Sequence, residues 1–182
     1  MLIPKEFYLR SAEEVAKDIL GAILVRDLGD KTMKGRIVET EAYFGAEDPA
    51  SRAFGGRIKS INRYMWEEGG TAYIYMVHGN WLFNVITGKE NEPSAVLIRA
   101  IEPLEGVEEM VKNRGKEKDI ADGPGKLTKA LNITKELNGI KVYEPGPLRI
   151  EKGYRTEGIK STKRIGVRLD LEKNLRFFLE RR

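Results

Sequence analysis

The sequence predicts a single α+β domain, residues 1–182, whose mostly antiparallel, curved sheet is flanked by a few α-helices. Three observations lead there. Short runs rich in β-branched and aromatic residues recur along the chain, only a few stretches carry helical periodicity, and glycine-containing turns join neighbouring runs. No repeat, low-complexity segment or linker interrupts the pattern, and 182 residues suit one sizeable core.

In chain order, Ser11 and Glu14 form a capping box, and Val15, Ile19 and Leu20 recur at helical spacing until Gly21, so residues 12–20 read as a helix. "AILVRDL", the break "GDK" and "GRIVETEAYF" read as two strands of a hairpin. "TAYIYMV", "WLFNVIT" and "AVLIRAI" are further strands, the first two joined by the turn "HGN". A helix is expected from Pro103, carrying Leu104, Val107 and Met110, because proline is tolerated in a first helical turn. After the charged loop "NRGKEKD", Asp122 or Gly123 caps a short helix from Pro124, and "PLRIEKG" and "RIGVRLDL" complete the strands.

The chain has 32 Lys+Arg against 28 Asp+Glu, a net charge of +4 whose sign favours a polyanionic partner. Cysteine is absent, no apolar run approaches the ~20 residues needed to span a bilayer, and "MLIPKEFYLR" is no secretion signal. These features exclude a disulfide scaffold and point to a cytoplasmic, nucleoid-associated protein, or a nuclear one in a eukaryote, with no membrane partner.

Strand alternation puts Val38, Ala42 and Phe44 on one face of "RIVETEAYF", expected to be the core, and Glu39, Glu41 and Tyr43 on the other. A wet sheet face and a reactive carboxylate pair are both open readings of that polar face. Tyr73 and Tyr75 share one face of the next strand, which ends at His78, the only histidine, and Asn84 follows on the strand after. Aromatic rings beside a carboxylate can hold a flat ring, although a cross-strand ladder gives the same pattern. Arg99, inside an apolar strand, needs a carboxylate on a neighbouring strand. "GPGK" is no Walker A motif but can present backbone N–H groups and Lys126 to a phosphate. A hard-metal site is the minor alternative, because "ETEAY" brings no lysine with it.

"ILGAILVRD", "GRIVETEAYFGAEDPAS", "GGTAYIYMVHG", "AVLIRAIEPLEG" and "GPGKLTKAL" resemble, in order and spacing, the alkyladenine (3-methyladenine) DNA glycosylase family, over roughly residues 7–135. The resemblance implies a monomeric, monofunctional enzyme without metal or cofactor. It would flip a damaged purine out of double-stranded DNA and hydrolyse its N-glycosidic bond. Residue by residue, Glu41 matches the general base, Arg99 its partner near the water, Tyr43 and Tyr75 the stacking aromatics, and Asn84 the side chain that rejects a guanine amino group. Arg57, Asn62 and Lys126 fall at DNA-binding positions, while Glu39, Glu47 and Asp48 are structural.

Two departures stand out. Arg52 replaces the histidine that closes the base pocket, and His78 replaces the tyrosine wedge that fills the emptied stack. Lys59 and Ile61 also depart from the Thr and Arg expected in "GGRIKSINRYM".

Overall fold

The computed structural model describes residues 1–154 and 157–180. Its antiparallel sheet comprises β1 (Ile23–Asp27), β2 (Thr32–Tyr43), β3 (Ala72–Val77), β4 (Asn80–Thr87), β5 (Ser94–Glu105) and β6 (Leu148–Glu151) in the order β3-β4-β5-β2-β1-β6. Two short strands, β7 (Ile159–Thr162) and β8 (Arg176–Leu179), form an annex in which β8 also pairs with Glu39–Glu41 of β2. The helices are α1 (Lys5–Tyr8), α2 (Ala12–Asp18), α3 (Val107–Arg114) and α4 (Pro124–Ala130), so the molecule is α+β as expected.

Local sequence explains most boundaries. The Ser11 hydroxyl accepts from the Glu14 amide, and the Glu14 carboxylate accepts from the Ser11 amide, so α2 starts on a complete capping box. The β1–β2 connection falls at Leu28–Lys31, where the "GDK" break placed it. The β3–β4 turn has only two central residues, His78 (φ 47°) and Gly79 (φ 77°), with Val77 paired to Asn80. Two consecutive positive φ angles match the right-handed strand twist in so short a hairpin, and glycine supplies one of them without strain.

Two expectations are corrected. The helix expected from Pro103 starts instead at Val107, after Gly106, because β5 runs on to Glu105. Pro103 sits opposite Gly35 at a register shift, where a residue without an N–H does least harm to the ladder. The strand expected at "RIGVRLDL" is absent. Residues 163–175 form an irregular segment across the sheet, and the edge of β2 pairs with Arg176–Phe178 instead.

The two sheet faces differ. The larger core lies on the helical side, where Val15, Ala16 and Ile19 meet Ile37, Ala42, Val96 and Ile98, with Met110 and Leu127 packed against them. The one polar group aimed there from mid-β2, the Thr40 hydroxyl, donates to Ala16 O at 2.7 Å. The opposite face carries a smaller cluster, Ala53, Met65, Tyr73, Ile86 and Ala95, with Tyr64, Trp66 and Tyr75 against it. The polar face of β2, for which a wet sheet face was one open reading, is therefore roofed by the loop following β2. Ala42 and Phe44 belong with the main core as alternation predicts, but Val38 lines a lateral groove with Arg36 and Ile101.

Candidate active site

The reason for the Val38 departure also builds the site. Along β2 and β5, Ile37 pairs with Ile101, Glu39 with Ala100 and Thr40 with Ile98. Val38 is thus the extra residue on β2 and Arg99 the extra residue on β5, two bulges on opposite strands separated by the Glu39–Ala100 pair. A bulge re-aims its side chain. Here the Arg99 guanidinium turns onto β2, Nε donating to Glu39 Oε1 at 3.0 Å and Nη1 to Glu41 Oε2 at 3.3 Å. The carboxylate partner that Arg99 needed is supplied twice.

Glu41 is fully buried, yet its carboxylate is held by polar partners. Oε2 also accepts the Tyr43 hydroxyl at 2.7 Å, and Oε1 accepts the backbone N–H of Ile165 at 2.7 Å. Arg99 makes its shorter bond to Glu39, which is also bonded by Arg176 Nε at 2.7 Å, so the cation nearest Glu41 is shared. The carboxylate of Glu41 thus sits in a dry environment, where an anion stabilises nearby positive charge most strongly. Burial, then the charge and hydrogen bond of Glu41, push the Tyr43 phenol well above its ordinary range, so Tyr43 stays a proton donor.

Register assembles the rest. Glu41, Leu97, Asn84 and Tyr73 are successive cross-strand partners and so share one face, with Tyr75 two positions along β3 from Tyr73. The Tyr73 and Tyr75 rings lie 5.1 Å apart at 32°, and the Arg52 guanidinium lies 4.7 Å over the Tyr75 ring. Burial raises the Tyr75 phenol while hydrogen bonding to Arg52 opposes that rise. Asn84 is buried, its Nδ2 donating to Tyr73 O at 3.3 Å. Glu41, Arg99, Tyr43, Arg52, Tyr75 and Asn84 thus converge on one covered face.

The residues expected to touch DNA stand apart from that group. His78 is exposed at the tip of the β3–β4 turn. Helix α4 braces this turn, since a Cβ at Gly125 would lie 2.8 Å from the Asn80 Cβ, and Thr128 Oγ1 donates to Trp81 O at 2.7 Å. "GPGK" is therefore a close-approach device, and Lys126 pairs with Asp122 at 2.9 Å at its edge. Arg57 is exposed. Asn62 is turned inward: its amide bonds Arg52 O, Arg57 O and the Lys59 N–H, shaping the loop that carries Arg52 and Arg57.

Sequence reasoning missed Arg164. Its guanidinium is fully buried, paired with Asp48 (2.6 and 2.8 Å) and with Asp170, and bonded to Ala42 O at 3.1 Å. It also lies 4.6 Å over the Tyr43 ring. Burial alone would lower its pKa, but the two carboxylates hold it above the ordinary value. Asp48 was expected to be structural, but its partner lies 116 residues away, where no local pattern points to it. Among the described residues no group of three or more His, Asp or Glu side chains is arranged to hold a metal ion.

A buried carboxylate next to stacked aromatics, on a protein of positive net charge, is suited to acting on a flat base brought to it from a polyanion. The class these features and the comparisons define is a DNA-repair glycosylase, a hydrolase of N-glycosyl bonds. The family model described as methylpurine-DNA glycosylase (MPG) matches residues 6–182, which carries the likeness through the tail and well past residue 135. A Clostridium tetani protein is 45% identical over 179 residues, covering 92% of this chain and 88% of its own length. A Bacillus licheniformis protein is 44% identical (91% and 85% covered), and one from Methanocella arvoryzae 45% identical (91% and 84%). All three bear the name "Putative 3-methyladenine DNA glycosylase". The chain belongs to the methylpurine-DNA glycosylase family.

Proposed function

We propose that residues 1–182 act as one monomeric domain that flips a damaged purine nucleotide out of duplex DNA and hydrolyses its N-glycosidic bond, leaving an abasic site. The observation that carries this reading is Glu41, a buried carboxylate held by Tyr43, Arg99 and the Ile165 amide beside an aromatic pocket. One chain supplies every side chain the reaction uses.

In this mechanism Glu41 takes a proton from water as the oxygen attacks C1′, and the electrons of the C1′–N bond leave with the base. The carboxylate also offsets the positive charge that develops on the sugar. Arg99 orients the carboxylate and the water. Tyr43 and Tyr75 stack on the base, Asn84 tests its edge, and His78 enters the vacated stack. Arg57 and Lys126 neutralise phosphates, while Asn62 holds the Arg57 loop in shape.

The substrate class follows from Arg52. Its guanidinium lies against Tyr75, where the base would stack, so a cationic alkylpurine would meet a like charge. At ~4 Å that repulsion is about 1 kcal/mol in water-like surroundings and rises as water is excluded. Arg52 is exposed, which favours the lower figure. Neutral lesions such as hypoxanthine avoid the penalty and gain from stacking on the guanidinium plane.

The test is a duplex oligonucleotide with a single hypoxanthine, incubated with the protein and EDTA and then heated in alkali. Strand breakage at the lesion that requires the alkali supports the reading. Intact strands would overturn it, as would breakage without alkali, which would indicate strand cleavage that needs no divalent metal; a metal-dependent nuclease is silenced by the EDTA.

A further inference from the structure

The contacts of Glu41 also identify which of its oxygens does the work. An ionised carboxylate offers about four lone-pair positions. Two donors occupy Oε2, Tyr43 Oη at 2.7 Å and Arg99 Nη1 at 3.3 Å, and one occupies Oε1, the Ile165 N–H at 2.7 Å. One position remains, and it is on Oε1.

Ile165 is held in place by its neighbour. Arg164 is anchored by both oxygens of Asp48, by Asp170 and by Ala42 O, and its guanidinium lies over the ring of Tyr43. Asp48 is fixed in turn, accepting the backbone N–H groups of Phe44 (2.9 Å) and Ala50 (3.0 Å). The anchor therefore starts in the loop directly after β2, crosses to the tail, and returns to Glu41 through one backbone amide. It fixes the carboxylate through Oε1, the oxygen that Arg99 does not bond.

We propose that Arg164 is a positioning residue for the reaction: by seating the Ile165 amide on Oε1 of Glu41, it leaves a single lone pair, on that oxygen, to take the proton from water. The inference rests on Glu41 being the general base. Arg164 itself touches neither water nor substrate.

The experiment is a double-mutant cycle read in single-turnover excision of hypoxanthine from a duplex, with lesion affinity measured separately. Wild-type excision is the control for the functional reading, so its absence would count against that reading and not against the anchor. Given excision, Arg164→Met should slow the chemical step about ten-fold or more with affinity little changed, since ~1 Å of misplacement can cost on the order of 10² in rate. Arg164→Lys should recover part of the loss. In a Glu41→Gln background, Arg164→Met should cost less than about three-fold, because partners that act as a unit are not additive. Ile165→Pro removes the amide donor while leaving the ion pairs of Arg164, and should reproduce the slow step in a protein whose thermal unfolding still shows one cooperative transition. If Arg164→Met proves unfolded, this second variant decides. Wild-type rates in folded Ile165→Pro, or equal losses from Arg164→Met with and without Glu41, would overturn the proposal.

Discussion

Tyr43 donates its hydroxyl to Glu41 Oε2 at 2.7 Å from two positions further along the same strand, so β-strand periodicity alone places the donor beside the carboxylate. Tyr43→Phe keeps the ring under Arg164 and removes only this bond. A hydrogen bond to a charged acceptor is worth about 1.5–3 kcal/mol. Single-turnover excision by Tyr43→Phe should therefore fall about ten-fold or more, with lesion binding largely retained.

The anchor at Asp48 makes a stability prediction. Asp48 and Arg164 are both fully buried and paired in two-pronged fashion. Removing Asp48 leaves the buried Arg164 with Asp170 as its remaining carboxylate, so the cost falls toward the lower end of the about 3–5 kcal/mol expected for breaking a buried pair. Asp48→Ala should lower the denaturant midpoint accordingly, whereas Glu47→Ala, in an exposed position of the same loop, should leave it nearly unchanged. Equal midpoints for the two variants would count against the anchor.

Tyr8, Tyr43 and Tyr73 all have phenols held well above their ordinary pKa of 10.0, mainly by burial. The native state therefore keeps these protons at a pH where the unfolded chain has released them. Their contribution to stability is whole below about pH 10 and falls as pH rises beyond it. Ultraviolet titration of the folded protein should show these three ionising only with alkaline unfolding.

Arg52 predicts a change in selectivity. Arg52→His should shift the ratio of kcat/KM toward a cationic purine such as 3-methyladenine relative to hypoxanthine, by about five-fold for ~1 kcal/mol of relieved repulsion. Measuring both lesions at two salt concentrations separates this from a phosphate contact, which would weaken both alike and flatten the salt dependence. An unchanged ratio with a flatter slope would remove Arg52 from base selection.

What the sequence made legible was local. Strand period put Glu39, Glu41 and Tyr43 on one face, the capping box set α2, and "HGN" set the β3–β4 turn. The apolar strand around Arg99 demanded a carboxylate partner, and it has two. What stayed hidden depended on long-range pairing. The two bulges at Val38 and Arg99 exist only once β2 meets β5, and they move Val38 off the face that simple alternation assigned. Arg164 lies 116 residues from Asp48, so no local pattern joins them. "RIGVRLDL" has strand composition, but β2's edge is taken by β8 and Arg164 is committed to ion pairs. Asn62 looked like a contact for DNA, yet its amide is committed to its own loop.

The most direct test of the central claim is Glu41→Gln, which keeps the size and planar shape of the side chain, replaces one acceptor oxygen with an amide NH2, and removes its charge and basicity. On a duplex with one hypoxanthine, lesion affinity and single-turnover excision are measured side by side. Glu41 as the general base predicts affinity close to wild type and an excision rate lower by ~10² or more. Excision above about a tenth of the wild-type rate, in a folded protein with unchanged affinity, would contradict it.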